Sequence, residues 1–424
     1  MQNAQSSPKK RQKLATFTEI QGDIEKYRSE MIELQTLLTS IPAISPESGG
    51  QGEFDKAEAL VNWLKSKGFA EFSEIQVLNA PDSRAKNSVR PNIIVTIPGK
   101  NNESALWIMT HLDIVPPGDL KSWHSDPYTV VEKDGCLIGR GVEDNQQGMV
   151  SSIFAALALL KNNEKPLHTV KLVFMADEEC GSAYGMNWLL TKHKEMFGKQ
   201  DLYLIPDGGD SNGETIEVAE KSILWIRFHT IGLQSHGSMP DKGRNAALAG
   251  CDLMLRIADL ENLYNKTDSI FEPPYSTFQP TMRLANVSSI NIIPGEDISC
   301  CDCRILPCYN IEGVLEEIKN RCNAVEKKYG VKIELEICQK EQSPATPASA
   351  PVVQKLADTL KQVHGINART IGIGGGTVGA LLRSAGYNAA IWSSLNEVCH
   401  QPNEYCVIDN MVKDAKTIAA LMLG

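Results

Sequence analysis

TVKLVFMADEECGS, residues 169–182, runs an apolar stretch straight into two adjacent glutamates. An uninterrupted run of β-branched, aliphatic and aromatic residues reads as a strand covered on both faces. Glu178 and Glu179 stand where that strand ends. Similar runs surround it: NIIVTIPG (92–99), ALWIMTHLD (105–113), LYLIPD (202–207) and AAIWSS (389–394). Segments with helical spacing alternate with them, at 24–41, 54–69, 148–163, 352–365 and 409–423. This rhythm predicts an α/β fold, a mostly parallel sheet flanked by helices on both faces.

The rhythm changes after residue 215. KSILWIRFHTIG (221–232), a helix over 244–262, strands over 277–290 and 297–306, a helix over 313–330 and VKIELEIC (331–338) follow one another. The order β-α-β-β-α-β is that of a ferredoxin-like α+β unit. SPATPASAP (343–351) then reads as a linker. The expected organisation is a polar, disordered tail over 1–19, one α/β domain over 20–214 and 345–424, and an inserted domain over 215–344.

Bulk properties narrow the function. At 424 residues the chain is long enough for two domains, and its formal net charge of −10 argues against a nucleic-acid partner. The basic KKRQK near the start reads as part of the solvated tail. No apolar stretch approaches the roughly 20 residues that span a bilayer, so no membrane partner is expected. The start lacks an apolar core of the secretory kind, and 11 cysteines without framework spacing suit free thiols in a reducing compartment. A cytoplasmic location follows. Cys300, Cys301 and Cys303 crowd together, but strand alternation turns Cys301 and Cys303 to one face and Cys300 to the other, as buried, inert thiols.

Open α/β sheets place ligand sites at the carboxyl ends of their strands. His111 lies there, with Asp113 two residues on and able to fix its tautomer. Read alone, such a pair serves a structural histidine equally well. Asp144 sits on a tight turn in GRGVEDNQQG (139–148), where an ordinary helix N-cap is an equal reading. At a strand end, adjacent side chains point to opposite sides, so Glu178 and Glu179 can address a water and a cation; two exposed loop carboxylates fit the preceding apolar strand poorly. Asp207 ends a further strand and His400 follows the last one. His111, Asp144, Glu179, Asp207 and His400 are five donors, more than the three or so that one ion needs. Two ions sharing a carboxylate use them all, and imidazole with carboxylate suits zinc.

HLDIVPPGD (111–119), GRGVEDNQQG, ADEECGS (176–182), GLQSHGSMP (232–240), and GGGT (374–377) followed by HQPNE (400–404) resemble the aminoacylase / succinyl-diaminopimelate desuccinylase / carboxypeptidase G family of dinuclear zinc amidohydrolases and peptidases. The resemblance runs from about residue 25 to the C-terminus. It implies two zinc ions, with cobalt or manganese as substitutes. Asp144 would bridge them, His111 and Asp207 would complete one site, and Glu179 and His400 the other. It implies Glu178 as general base, Asp113 as the residue steadying His111, and a cis peptide after Asp144. It assigns His236 to the developing oxyanion, and Asn291, Arg304, Gly376 and Thr377 to a substrate carboxylate. It also implies a homodimer through the inserted lid domain.

The resemblance implies an amide hydrolase acting on a small N-acyl amino acid, of the desuccinylase or deacylase kind, with a carboxylate-bearing substrate. Two departures stand out. Gln147 replaces a lysine common in the family, and Asp207 stands where deacylases carry Glu, as in the di- and tripeptidase branch. A dipeptidase or aminopeptidase is therefore the alternative. A non-catalytic binding protein would have lost ligands that are all present here, and a thiol enzyme using Cys180 or Cys399 lacks a placed histidine base.

Overall fold

The structure, a computed structural model, describes the backbone of residues 8–424 and the side chains of residues 17–424. The apolar runs form an eight-stranded sheet in the order Glu74–Pro81, Val89–Ile97, His168–Met175, Asn101–His111, Leu202–Gly209, Ala389–Ser393, Thr215–Glu220 and Arg369–Ile373. The middle four strands are parallel neighbours. The pairings that flank them, from Glu74–Pro81 through His168–Met175 and between Ala389–Ser393 and Thr215–Glu220, are antiparallel. The sheet is thus mixed, with a parallel centre that brings the carboxyl ends of the middle strands to one edge.

Helix Gln146–Lys161 is buried from Gln146 to Leu160 and carries no solvated face. A helix apolar all round must be covered on every side, and helices Ile408–Leu423 and Arg28–Thr39 supply that cover beside the sheet. Trp107, Phe154, Phe174 and Trp392 are wholly inaccessible to solvent. Removing one such side chain to alanine costs about 3–5 kcal/mol, because the cavity left does not collapse fully.

By its internal packing the chain separates into two units, Met1–Val218 with Thr346–Thr370 and Thr377–Gly424, and Ala219–Ala345 with Ile371–Gly376. The second holds strands Ser222–Ile231, Thr277–Arg283, Glu296–Ile305 and Lys332–Glu341 and helices Ala246–Ala258 and Ile311–Tyr329. Its antiparallel sheet runs in the order second, third, first, fourth strand, which is the split βαβ topology. Leu224, Ile226 and Phe228 alternate inward to meet Leu253, Ile257, Val314, Ile318 and Val325 of the helices.

Cys301 and Cys303 share that inward face and are buried, while Cys300 is half-buried. Burial pushes the Cys301 thiol up to about 12. None of the 11 cysteines forms a disulfide. Of the tail expected over 1–19, residues 1–7 lie outside the described residues. From Pro8 the backbone is helical as far as Lys26, and Ile20 and Ile24 on that helix are fully buried. Among the described residues, no helix is long and apolar enough to cross a membrane.

Candidate metal centre

Strand Asn101–His111 ends on His111, which is almost wholly buried. Its Nδ1 lies 2.9 Å from the carbonyl oxygen of Asp113. A carbonyl only accepts, so Nδ1 donates to it and Nε2 is the nitrogen left for the carboxylates. Nε2 faces Asp144 Oδ1 at 2.9 Å and Asp207 Oδ1 at 3.8 Å. The Asp113 carboxylate is farther from the ring, at 3.5 Å. It instead accepts the backbone N–H groups of Glu178 at 3.1 Å and Glu179 at 3.0 Å. The ring is thus steadied by the Asp113 main chain, and the Asp113 side chain fastens the neighbouring turn.

That turn corrects the expectation of strand alternation. Asp177 adopts left-handed backbone at φ 65°, and Glu178–Cys180 forms a short 3₁₀ turn. Asp tolerates this conformation better than most residues. Its carboxylate accepts Tyr184 N–H at 3.0 Å and pairs with Arg90 at 3.1 Å. Arg90, fully buried, also pairs with Glu53. The two glutamates diverge because of the turn. Glu179 Oε2 is 3.1 Å from His400 Nε2, while Glu178 groups with His111 and Asp207.

Asp144 lies in the segment between strand Cys136–Ile138 and helix Gln146–Lys161, and the Asp144–Asn145 peptide is cis. Asn145, not Asp144, occupies the N-cap position. Asn145 Nδ2 donates to Asp207 Oδ1 at 2.6 Å and holds that carboxylate in place. His400 sits at φ 62° and reaches Asp144 Oδ2 at 3.1 Å. Gln147 donates to the Ser394 carbonyl at 2.9 Å and to Asp414 at 3.0 Å, a buried structural tie.

The donors group as His111, Asp144 and Glu179, and as His111, Glu178 and Asp207, each set within 4.8 Å. Burial pushes the Glu178 carboxyl well above its ordinary value, and burial with the nearby Asp144 charge raises Glu179 to about 7. Asp207 is raised mainly by burial as well. Asp144 goes the other way, because hydrogen bonds from His111 and His400 outweigh its burial. Four crowded carboxylates, two imidazole nitrogens and a buried Glu179 Oε1 without a hydrogen-bond partner form a site short of positive charge. Divalent cations fit this hard and borderline donor set.

Cys180 and Cys399 flank the cluster, but burial raises both thiols, Cys399 to about 12. A third acidic group, Glu47, Asp177 and Cys180, is already served by Arg84 and Arg90.

In the second unit, Ser238 N–H donates to His236 Nδ1 at 3.2 Å. In the tautomer that accepts this bond the ring carries its proton on Nε2, which has no hydrogen-bond partner among the described residues. Asn291 is adjacent: its carbonyl accepts Gly237 N–H at 2.7 Å. Arg304 lies over Trp225 and donates from Nε and NH2 to Asp302 and from NH1 to the Gly374 carbonyl. A side chain at Gly374 would meet open space, and one at Gly376 would touch only Ile223 at 3.6 Å, so packing does not demand glycine there. Thr377 Oγ1 caps helix Val378–Ser384 by accepting Gly379 N–H.

Two carboxylates escaped the sequence reading. Glu143 and Glu404 are fully buried beside the ligand loops. Glu404 belongs to HQPNE, so its motif was visible although its task was not.

Residues 107–424 match the model of Peptidase family M20/M25/M40. The chain is 40% identical over 408 residues to an uncharacterized metallohydrolase of Methanococcus maripaludis, covering 91% of this chain and 97% of that one. It is 26% identical over 297 residues to succinyl-diaminopimelate desuccinylase of Bordetella petrii, 69% of this chain and 76% of that. The crystal structure of aminopeptidase PepT from Bacillus cereus superposes with a TM-score of 0.74 at 17% identity, over 93% of this chain and 98% of that one. With family coverage of this extent, the chain belongs to peptidase family M20/M25/M40 and is a metallohydrolase.

Proposed function

We propose that this metallohydrolase is a dinuclear zinc amidohydrolase that cleaves a small N-acyl amino acid, of the desuccinylase or deacylase kind. One observation carries the reading. The two oxygens of Asp144 face two different histidines, Oδ1 with His111 and Oδ2 with His400, and each histidine has its own further carboxylate, Asp207 or Glu179. One bridging residue with two paired half-sites is what two ions require. His111, Asp207 and Asp144 would hold one, and His400, Glu179 and Asp144 the other.

When bound, the ions supply positive charge that lowers the pKa of water and polarises a carbonyl. Glu178 accepts the proton of the attacking water and returns it to the leaving amine. Burial raises its pKa and so favours its taking up a proton. His236, with Nε2–H free, donates to the carbonyl oxygen as negative charge develops there. Arg304 keeps N–H donors beyond its three bonds and receives the substrate carboxylate, a task shared with Asn291, Gly376 and Thr377. The enzyme acts in the cytoplasm as a homodimer through the Ala219–Ala345 unit, without nucleic-acid or membrane partners.

Asp207 favours a second reading, a dipeptidase or aminopeptidase with the same centre. Zinc-loaded protein assayed on N-succinyl and N-acetyl amino acids beside dipeptides separates them. Turnover of the acyl amino acids is expected; turnover of dipeptides alone transfers the assignment to the second reading.

A further inference from the structure

We propose that Glu143 and Glu404 form a reciprocal clamp that holds the loops of Asp144 and His400 in register before any ion binds. The identity of what those loops hold rests on the dinuclear reading above; the clamp itself rests on the following contacts. Glu404 Oε1 accepts the N–H groups of Glu143 at 3.0 Å and Asp144 at 3.1 Å. Its Oε2 accepts Gly141 N–H at 3.1 Å and Arg140 NH1 at 2.7 Å. In return, Glu143 accepts the N–H groups of Asn396 at 2.5 Å and Val398 at 2.8 Å. Each carboxylate therefore starts on one loop and ends on the other.

The exchange joins segments more than 250 positions apart in the chain. Both loops need such support. His400 is at φ 62° and Glu397 at φ 57°, conformations that non-glycine residues adopt only when their surroundings impose them. The base of the clamp is fixed by a three-stranded sheet in which Tyr405–Val407 pairs with Cys136–Ile138. Trp123 stacks on Arg140, whose charge faces Glu404. Five backbone donors and one guanidinium converge on two buried carboxylates. An isosteric amide at either place keeps the volume but turns an NH2 group toward N–H donors. Glu143 and Glu404 are accordingly positioning residues that act through Asp144 and His400.

The test compares the full chain with Glu143→Gln and Glu404→Gln in zinc titrations against a competing chelating dye, with far-UV circular dichroism as the fold control. Supports of metal ligands typically change affinity 10- to 100-fold. Folded variants should bind zinc that much more weakly, and excess zinc should restore turnover with KM unchanged. Zinc affinity within about twofold of the parent, even with a lowered Tm, would make both residues merely structural and overturn the proposal. Should either variant fail to fold, amide exchange in the chelator-treated parent decides. Slow exchange at Glu143, Asp144, Asn396 and Val398 supports a preformed clamp, and exchange at the rate of an open loop overturns it. Neither readout requires turnover, so a parent that binds zinc yet hydrolyses nothing would refute the proposed function alone.

Discussion

The Asp113 carboxylate accepts the backbone N–H of Glu178 at 3.1 Å, tying the strand end that carries His111 to the turn that carries the candidate base. Asp113→Asn replaces one accepting oxygen with a donor that faces an N–H. The variant should lose about 10-fold or more in turnover and in zinc affinity, as expected for residues behind a metal site. His111 should keep its tautomer, because the Asp113 carbonyl holds its Nδ1 proton. Nitrogen NMR of the His111 ring in the variant checks the second half.

Glu178→Gln should lower kcat by about 10²–10⁴-fold while zinc stoichiometry stays unchanged. In the parent, a base whose pKa is raised by burial is protonated sooner as the medium acidifies. The rate should therefore fall on the acid side at a higher pH than an ordinary Glu would give, and that limb should vanish in the variant. Full turnover by Glu178→Gln would remove the residue from the mechanism.

Arg304→Lys retains charge but loses the planar fork that meets Asp302 and the stack on Trp225. We expect KM to rise about 10-fold with kcat little changed, the signature of lost uniform binding. An unchanged KM for a carboxylate-bearing substrate would place the carboxylate site elsewhere.

His364 provides a pH test of stability away from the metal centre. Burial, with Lys413 and Lys416 nearby, lowers its pKa to about 4, and its Nε2 meets Thr417 at 2.9 Å. An unfolded histidine protonates near 6.5. Between those values the unfolded chain binds the extra proton, so stability falls as pH drops from about 6.5 toward 4. The loss is at most about 3 kcal/mol, less for a ring that is only partly buried. Urea unfolding at pH 7 and pH 4.5 should show this slope, and His364→Gln should reduce it.

Much of the centre was legible because apolar strands end in donors, and a strand end is where side chains leave the core. His111 closes its strand in that way, and Asp207 lies two residues before the end of its own. What was not legible depended on which atom of a residue is used. Asp113 steadies His111 through its carbonyl, a contact that side-chain spacing does not encode. Glu178 and Glu179 diverge through a left-handed Asp177 rather than through strand alternation. Nothing in the sequence signals what Glu143 and Glu404 do, since the backbone amides they accept from are mostly distant in sequence. The antiparallel edge strand Glu74–Pro81 escaped notice because its side chains are mostly exposed and give no apolar run.

Zinc stoichiometry tests the centre most directly. Equilibrium dialysis followed by metal analysis should find two ions per chain in the parent, and Asp144→Asn should weaken both, since its two oxygens face both histidines. One ion or none in the parent, or an Asp144→Asn protein that still holds two as tightly, would contradict a shared carboxylate.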